Sequence, residues 1–393
     1  MAASGLKISL LGDIVIPQKQ VRIECALNTP VIANWEAPLV GQSNLALRPK
    51  AGSYLKSYGI PDLFKESIFC LANNHIMDFG DMGLQQTLLD CRKRQIATVG
   101  AGKNLQEART PVILEKEGIR IGVLARCESQ FGIATTTRSG VAPLDATIYA
   151  SIRDLKSQVD IVIVSVHGAA EMCPWPSPPW QDLLRSFIDA GATIVHGHHA
   201  HIPQGFEEYK SGLIFYGLGN FCVDPACWRN CKDALWSLVI DLQVSREGIE
   251  QYAVRTVGME EEDGAIFIRD SIFQEENYRR EYLEEINNPL RNRILLLGLW
   301  QEFSIREYYK TYARWLGFES GYFLYKLKRI FKKVIKVSLN DRLLRYHLFS
   351  CESHREAITT ALGVLSGELE DLRTKESRIL SDQFMPWTKS VKV

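Results

Sequence analysis

Between Lys7 and His201, five short apolar runs each end in a cluster of metal-binding or acid/base side chains. The runs are Lys7–Leu11, Pro30–Ala33, Ser67–Ala72, Ile161–Val166 and Ala192–Val195; behind them come Asp13, Glu36, Asn74-His75, His167 and His199-x-His201. Apolar runs this short, bounded by turn residues, read as buried parallel strands. In open α/β sheets, ligands bind beyond the carboxyl ends of the strands. If the five strands share a sheet edge, their oxygens and imidazoles converge, and that convergence points to metal.

The segments between the runs support an α/β reading up to about Leu242. Gly80–Arg94 carries Leu84, Leu88 and Cys91 at helical spacing, and Trp180–Ala190 has the same character, with Gly191 as a natural stop. Residues 118–125, 213–218, 235–242, 252–257 and 265–268 read as further strands. Alternation of this kind implies βαβ units. From about Phe273 the texture becomes helical and heavily charged, as in 274–286, 304–316 and 352–375. A domain boundary is therefore expected near 272, dividing the chain into 1–272 and 273–393.

Composition narrows the partners. The 46 basic and 46 acidic residues cancel, so bulk charge points to no nucleic acid. Nine cysteines without paired spacing argue against a disulfide framework, and Cys222, Cys227 and Cys231 lack the C-x2-C spacing of zinc sites. MAASG before the first strand leaves no room for a signal-peptide core, and no apolar stretch reaches the length of a membrane span. The cytoplasm is the expected location. Residues 322–339 form a basic amphipathic helix that suits either packing on the α/β domain or peripheral contact with an anionic inner membrane face. The first reading is the commoner one.

Carboxylate, amide oxygen and neutral imidazole are the ligands that Mn, Fe and Zn accept. Asp13, Glu36, Asn74, His167, His199 and His201 supply that mixture, and His75 could protonate a leaving group. Taken singly, Asp13 and Glu36 are ordinary turn residues and His167 an ordinary structural histidine. The run HGHHAH at 196–201 is harder to explain blandly, since it holds half of the chain's eight histidines. In an extended segment His199 and His201 point to one side, and His196 and His198 to the other, where supporting roles suit them. His347 and His354, in the helical part, are expected to be solvated.

Six motifs then stand in order: LLGDI at 10–14, NWEAPL at 34–39, ANNHIMDFGDMGLQQTL at 72–88, HGAAE at 167–171, GATIVHGHHAHIPQG at 191–205 and YGLGNFCVD at 216–224. Together they resemble the CapA, or poly-γ-glutamate capsule biosynthesis, proteins of the calcineurin-like metallophosphoesterase superfamily. The resemblance covers Lys7 to roughly Leu242. It implies a four-layer α/β/β/α sandwich with two divalent metal ions at the strand ends, followed here by a helical extension. By the same resemblance, Asp13 and His201 bind one metal, and Asn74, His167 and His199 the other, with Glu36 bridging. His75 takes the place of the catalytic acid, with Asp78 grouped beside it. Asp78 and Glu171 orient imidazoles, His198 supports the ligands or meets substrate, and Asn220 and Asp224 line the pocket or touch substrate.

The chain departs from the pattern in places. Val15 stands where the wider superfamily has the histidine of Asp-x-His, and Trp35, Gly168, Ala169 and Ala200 replace the family's usual residues. The implied function is a metal-dependent hydrolase using metal-activated water on phosphate esters, or on a capsule or envelope polymer or its precursor. Two alternatives are an amide-bond-forming or -cleaving component of polyglutamate synthesis and a non-catalytic scaffold. With no G-x-x-x-x-G-K-[ST] loop, ATP-driven ligation would need a partner protein.

Overall fold

The computed structural model describes residues 5–40, 45–316 and 338–385. They group into two compact units, one of residues 1–48 and 54–291, the other of residues 49–53 and 292–393. The helix Phe273–Asn287 thus groups with the α/β part.

The first unit contains two large sheets. In the nine-stranded sheet the order is Gln20–Ile23, Ala265–Asp270, Gly248–Glu262, Trp236–Ser245, Leu6–Ile14, Val31–Trp35, Ile68–Cys70 and Ala97–Val99, with Asn220–Cys222 also paired to Leu6–Ile14. The six-stranded sheet runs Phe206–Tyr209, Gly212–Phe215, Ile194–His198, Ile161–His167, Ile119–Cys127 and Val112–Lys116. The five polar-ended runs are therefore divided between the sheets, three in the first and two in the second. A single shared sheet edge is not what brings them together.

The sheets face each other across a buried interface. Strands Leu6–Ile14 and Ile194–His198 touch across it, and His196 Nε2 lies 3.0 Å from the Leu11 carbonyl oxygen of the opposite sheet. Helices Thr147–Lys156 and Pro178–Asp189 pack on the six-stranded sheet, and Gly80–Lys93 packs beside Ala97–Val99 of the other. These are the layers of an α/β/β/α sandwich. Pro178–Asp189 starts where its sequence says it should: the Ser177 side chain accepts from Trp180 N–H, and Pro178 takes the first turn, where no N–H is needed.

One irregularity shapes the site. The pairing of Leu6–Ile14 with Val31–Trp35 shifts between Leu11 and Asp13, so Gly12 is an extra, bulged residue. Beyond it Asp13 N–H bonds to the Gly219 carbonyl at 3.0 Å, and a Cβ on Gly12 would lie 1.9 Å from that same oxygen. Only glycine lets the strand re-aim Asp13 there. Gly12→Ala is expected to lower stability by about 1–3 kcal/mol or more, because the obstacle is backbone and cannot swing aside. Urea unfolding checks this, and an unchanged midpoint and slope would contradict it.

The second unit is helical. Arg293–Glu307 is buried on most sides and packs against Glu352–Ser366 and Lys375–Phe384. The charged texture there is partly interior, since Glu302 is 1% exposed and bonds both Arg306 and Arg378. The helical reading of 352–375 needs correction. The helix ends at Ser366 because Gly367 turns left-handed (φ 79°), and a separate helix begins at Lys375. His347 and His354 are not simply solvated either. They are half-buried, with Nε2 atoms 3.1 Å apart, and Tyr312 Oη lies 2.8 Å from His354 Nδ1. The amphipathic segment 322–339 lies outside the described residues except for its last two. Among those described, no helix is long and apolar enough to cross a membrane.

Candidate metal centre

Each side chain of the centre is delivered by a strand end. Leu6–Ile14 delivers Asp13, and Val31–Trp35 delivers Asn34 and, one residue on, Glu36. Ile68–Cys70 leads into the turn bearing Asn73, Asn74 and His75, while Ile161–His167 ends on His167. Ile194–His198 ends on His198 and runs into His199 and His201. From these two sheets Asp13, Glu36, Asn74, His167, His198, His199 and His201 arrive in one place, nearly all of them shut off from solvent.

The last two histidines meet by a route that simple alternation does not describe. The strand stops at His198; His199 and His201 then take φ of 91° and 61°, a region that side-chain-bearing residues rarely occupy. Ala169 and Met172 in the facing loop are left-handed too, and Met172 N–H bonds to the Ala200 carbonyl at 2.9 Å. Four unfavourable backbone conformations tied together at one locus are the kind of strain that folds keep at functional sites. The His199 and His201 rings end 6.0 Å apart, and the His167 ring lies 4.6 Å from His199. His198 is not turned away from the centre: its Nδ1 is 3.4 Å from Asp13 Oδ1.

The donor atoms fall into three overlapping groups, each with its atoms within 4.8 Å of one another: Glu36–His167–His199, Asp13–Glu36–His201 and Glu171–His199–His201. Glu36 is common to the first two. Its Oε1 is 3.8 Å from both His167 Nε2 and His201 Nε2, and its side chain is fully buried. Such separations are too long for hydrogen bonds. They lie close to the spacing of about 3–3.5 Å between ligands that share an ion through bonds of about 2.0–2.2 Å. Asn74 Oδ1 lies 3.0 Å from His167 Nε2, adding an amide oxygen beside the first group.

Electrostatics also favour a cation. Burial opposes ionisation of Asp13, yet the close approach of His198, the charge of His201 and the bond from Asn34 hold the carboxyl below its usual range. Burial likewise works against the His201 imidazolium, but Glu36, Asp13 and Glu171 outweigh it and raise the pKa to about 9. That corner is negative enough to retain a proton, and so suits a positive ion. His167 behaves oppositely: burial, then the neighbouring His199, His198 and His201, push its pKa well down, leaving the neutral ring that a metal requires. Carboxylates, imidazoles and an amide oxygen so placed fit divalent transition ions.

Around this core the remaining predicted residues divide. His75 Nδ1 sits 2.9 Å from Asp78 Oδ2, which also accepts Leu55 N–H at 2.7 Å, so the carboxylate fixes the ring from behind. Glu171 is half exposed at the rim, its Oε1 3.7 Å from His199 Nε2. Asn220, paired in register with Asp13, places Oδ1 3.0 Å from His201 Nδ1. Asp224 is engaged elsewhere: it takes an ion pair from Lys19 at 3.0 Å and caps the short helix Pro225–Trp228.

Four supporting residues escape the sequence reading. Asn34 donates to Asp13 Oδ1 at 2.8 Å and lies 3.4 Å from His167 Nδ1. Asn73 donates to Asn34 Oδ1 and the Trp35 carbonyl while accepting from His75 and Ile76 N–H, which shapes the Asn-Asn-His turn. Both stand inside quoted motifs, where the neighbouring residue drew the attention. Glu128 and Gln130 follow the strand Ile119–Cys127, and a carboxylate just past a strand end is the same signal that marked Glu36. A cavity of about 730 Å³ beside Asp241, Arg255 and Arg280 shares no lining residue with the centre.

Comparison with known proteins adds the following. Residues 19–225 match the family described as bacterial capsule synthesis protein PGA_cap. The PGA biosynthesis protein CapA of Bacillus subtilis is 31% identical over 62% of this chain and 65% of its own length. The capsule biosynthesis protein CapA of Bacillus anthracis is 32% identical over 43% of this chain and 42% of its own. The chain thus spans less than two thirds of the length of these relatives. A crystal structure of a hypothetical protein from Thermus thermophilus overlaps 64% of this chain and 98% of its own, at 16% identity and a TM-score of 0.39.

Proposed function

Because the chain belongs to the PGA_cap family of bacterial capsule synthesis proteins, within the metallophosphoesterase-like superfamily, we propose that its strand-end cluster is a dinuclear metal centre that hydrolyses phosphate esters. The observation that carries the reading is the sharing of Glu36 between two donor groups, with His167 and His199 on one side and Asp13 and His201 on the other. Asn74 completes the first group through its amide oxygen. Bound there, two divalent ions would polarise a phosphoryl oxygen and activate water at neutral pH.

The chain's own residues supply the rest. Asn34 and Asn220 hold Asp13 and His201 in place through the bonds described above. Asp78 holds Nδ1 of His75, and Nε2 on the other side of the ring is the nitrogen that would carry a proton to the departing oxygen. Glu171 at the rim and the Trp228 ring, 4.7 Å from His201, border the mouth by which substrate would enter.

The relatives' names favour a second reading, in which the same centre serves capsule or PGA synthesis by acting on a polymer or its precursor, amide bonds included. A panel of phosphomonoesters, phosphodiesters and glutamyl amides, run with metal analysis on wild type and His199→Ala, separates the two. The wild type is expected to carry close to two ions and cleave an ester. His199→Ala should lose an ion and at least about 100-fold of the rate. A variant that kept both ions and full activity would overturn the reading.

A further inference from the structure

We propose that Glu128 and Gln130 are positioning residues for His199, fixing the angle at which its ring meets the donor cluster; this rests on the metal-centre reading above. His199 is the imidazole whose orientation matters most, because it belongs both to the group with Glu36 and His167 and to the group with Glu171 and His201. Its left-handed backbone places the Cα but leaves the ring to be held from outside.

The support comes from the neighbouring strand end. Glu128 follows the last residue of Ile119–Cys127, and its N–H donates to the His167 carbonyl at 3.0 Å, so its backbone is fixed to the residue that bears another ligand. The Glu128 side chain is fully buried, and Gln130 is nearly so. Glu128 Oε1 accepts from Gln130 Nε2 at 2.8 Å, and that amide group is 3.0 Å from His199 Nε2. The same carboxylate oxygen is 3.8 Å from His199 Nε2.

A chain that buries a carboxylate this completely must compensate it locally. The Gln130 amide is one of the groups that do so. Room for the carboxylate depends on Gly168, where a Cβ would stand 3.3 Å from both Cβ and Cδ of Glu128 and 2.7 Å from the Trp180 ring. Partners packed beside a metal-binding histidine fix the angle of its ring. Here Glu128 accepts from the Gln130 amide, and that amide nitrogen meets His199 Nε2, so the pair holds the ring from the side.

Titration of the metal-free full-length protein with Mn²⁺, following free ion by electron paramagnetic resonance, tests this. Glu128→Ala should weaken one of two Mn²⁺ sites by about 10–100-fold and leave the other within about threefold. Glu128→Gln, which keeps an oxygen acceptor, should recover part of the loss, and Gln130→Ala should shift the same site by less. Circular dichroism confirms folding, and if Glu128→Ala does not fold, the other two variants decide. Folded variants that all bind both ions as wild type does would overturn the assignment while leaving the metal centre standing. A wild type that binds no Mn²⁺ would overturn both.

Discussion

Glu36→Gln should cost the protein metal and lower its hydrolytic rate by about 10³-fold, the scale reached when a buried electrostatic stabiliser is removed from an active site. The substitution changes charge and basicity while keeping shape, so no cavity forms and the fold should hold. Its severity follows from position. Glu36 Oε1 is equidistant from His167 and His201, 3.8 Å from each, and it is the residue common to the two donor groups. A neutral amide there loses the charge that would join two ions. Metal content by mass spectrometry, beside activity and circular dichroism, checks the prediction. A folded variant with both ions and more than about a tenth of the wild-type rate would contradict it.

His75→Ala should behave differently, keeping both ions while kcat falls by about 10²–10⁴-fold, the range of a positioned general acid. His75 stands in none of the three donor groups; its Nδ1 is occupied by Asp78 at 2.9 Å. The loss should shrink for substrates with good leaving groups, since they need less protonation as they depart. A comparison of nitrophenyl and alkyl phosphates reads this out, and Asp78→Asn should show the same leaving-group dependence at smaller amplitude. If His75→Ala instead lost an ion, His75 would be a ligand and the division of roles would fail.

Much of this site could be read from the chain because strand ends carry local signals. The runs before Asp13, Glu36, His167 and His199 are apolar and short, and each became a strand extending one or more residues past the expected end, as Leu6–Ile14 and Ile161–His167 illustrate. What local signals do not hold is which strands pair. The sequence suggested one edge, whereas three strands belong to one sheet and two to another, so the centre forms where the two sheets meet. The left-handed turns at His199 and His201 also have no sequence mark, since neither residue is the glycine or asparagine expected there. Gly12 is the reverse case: its motif was visible, but its role as a bulge depends on Gly219, which lies more than two hundred residues away in the chain.

The helical part shows the same limit. A continuous helix over 352–375 follows from composition, yet Gly367 ends it, as a glycine beyond a helical run commonly does. His347 and His354 looked like surface residues, because nothing local announces a partner seven positions away on another helix.

Two ions flanking Glu36 should be visible by anomalous diffraction from crystals grown with Mn²⁺. Two peaks are expected, one among Glu36, Asn74, His167 and His199, the other among Asp13, Glu36 and His201. A single peak remote from Glu36, or none at saturating Mn²⁺, would contradict that arrangement.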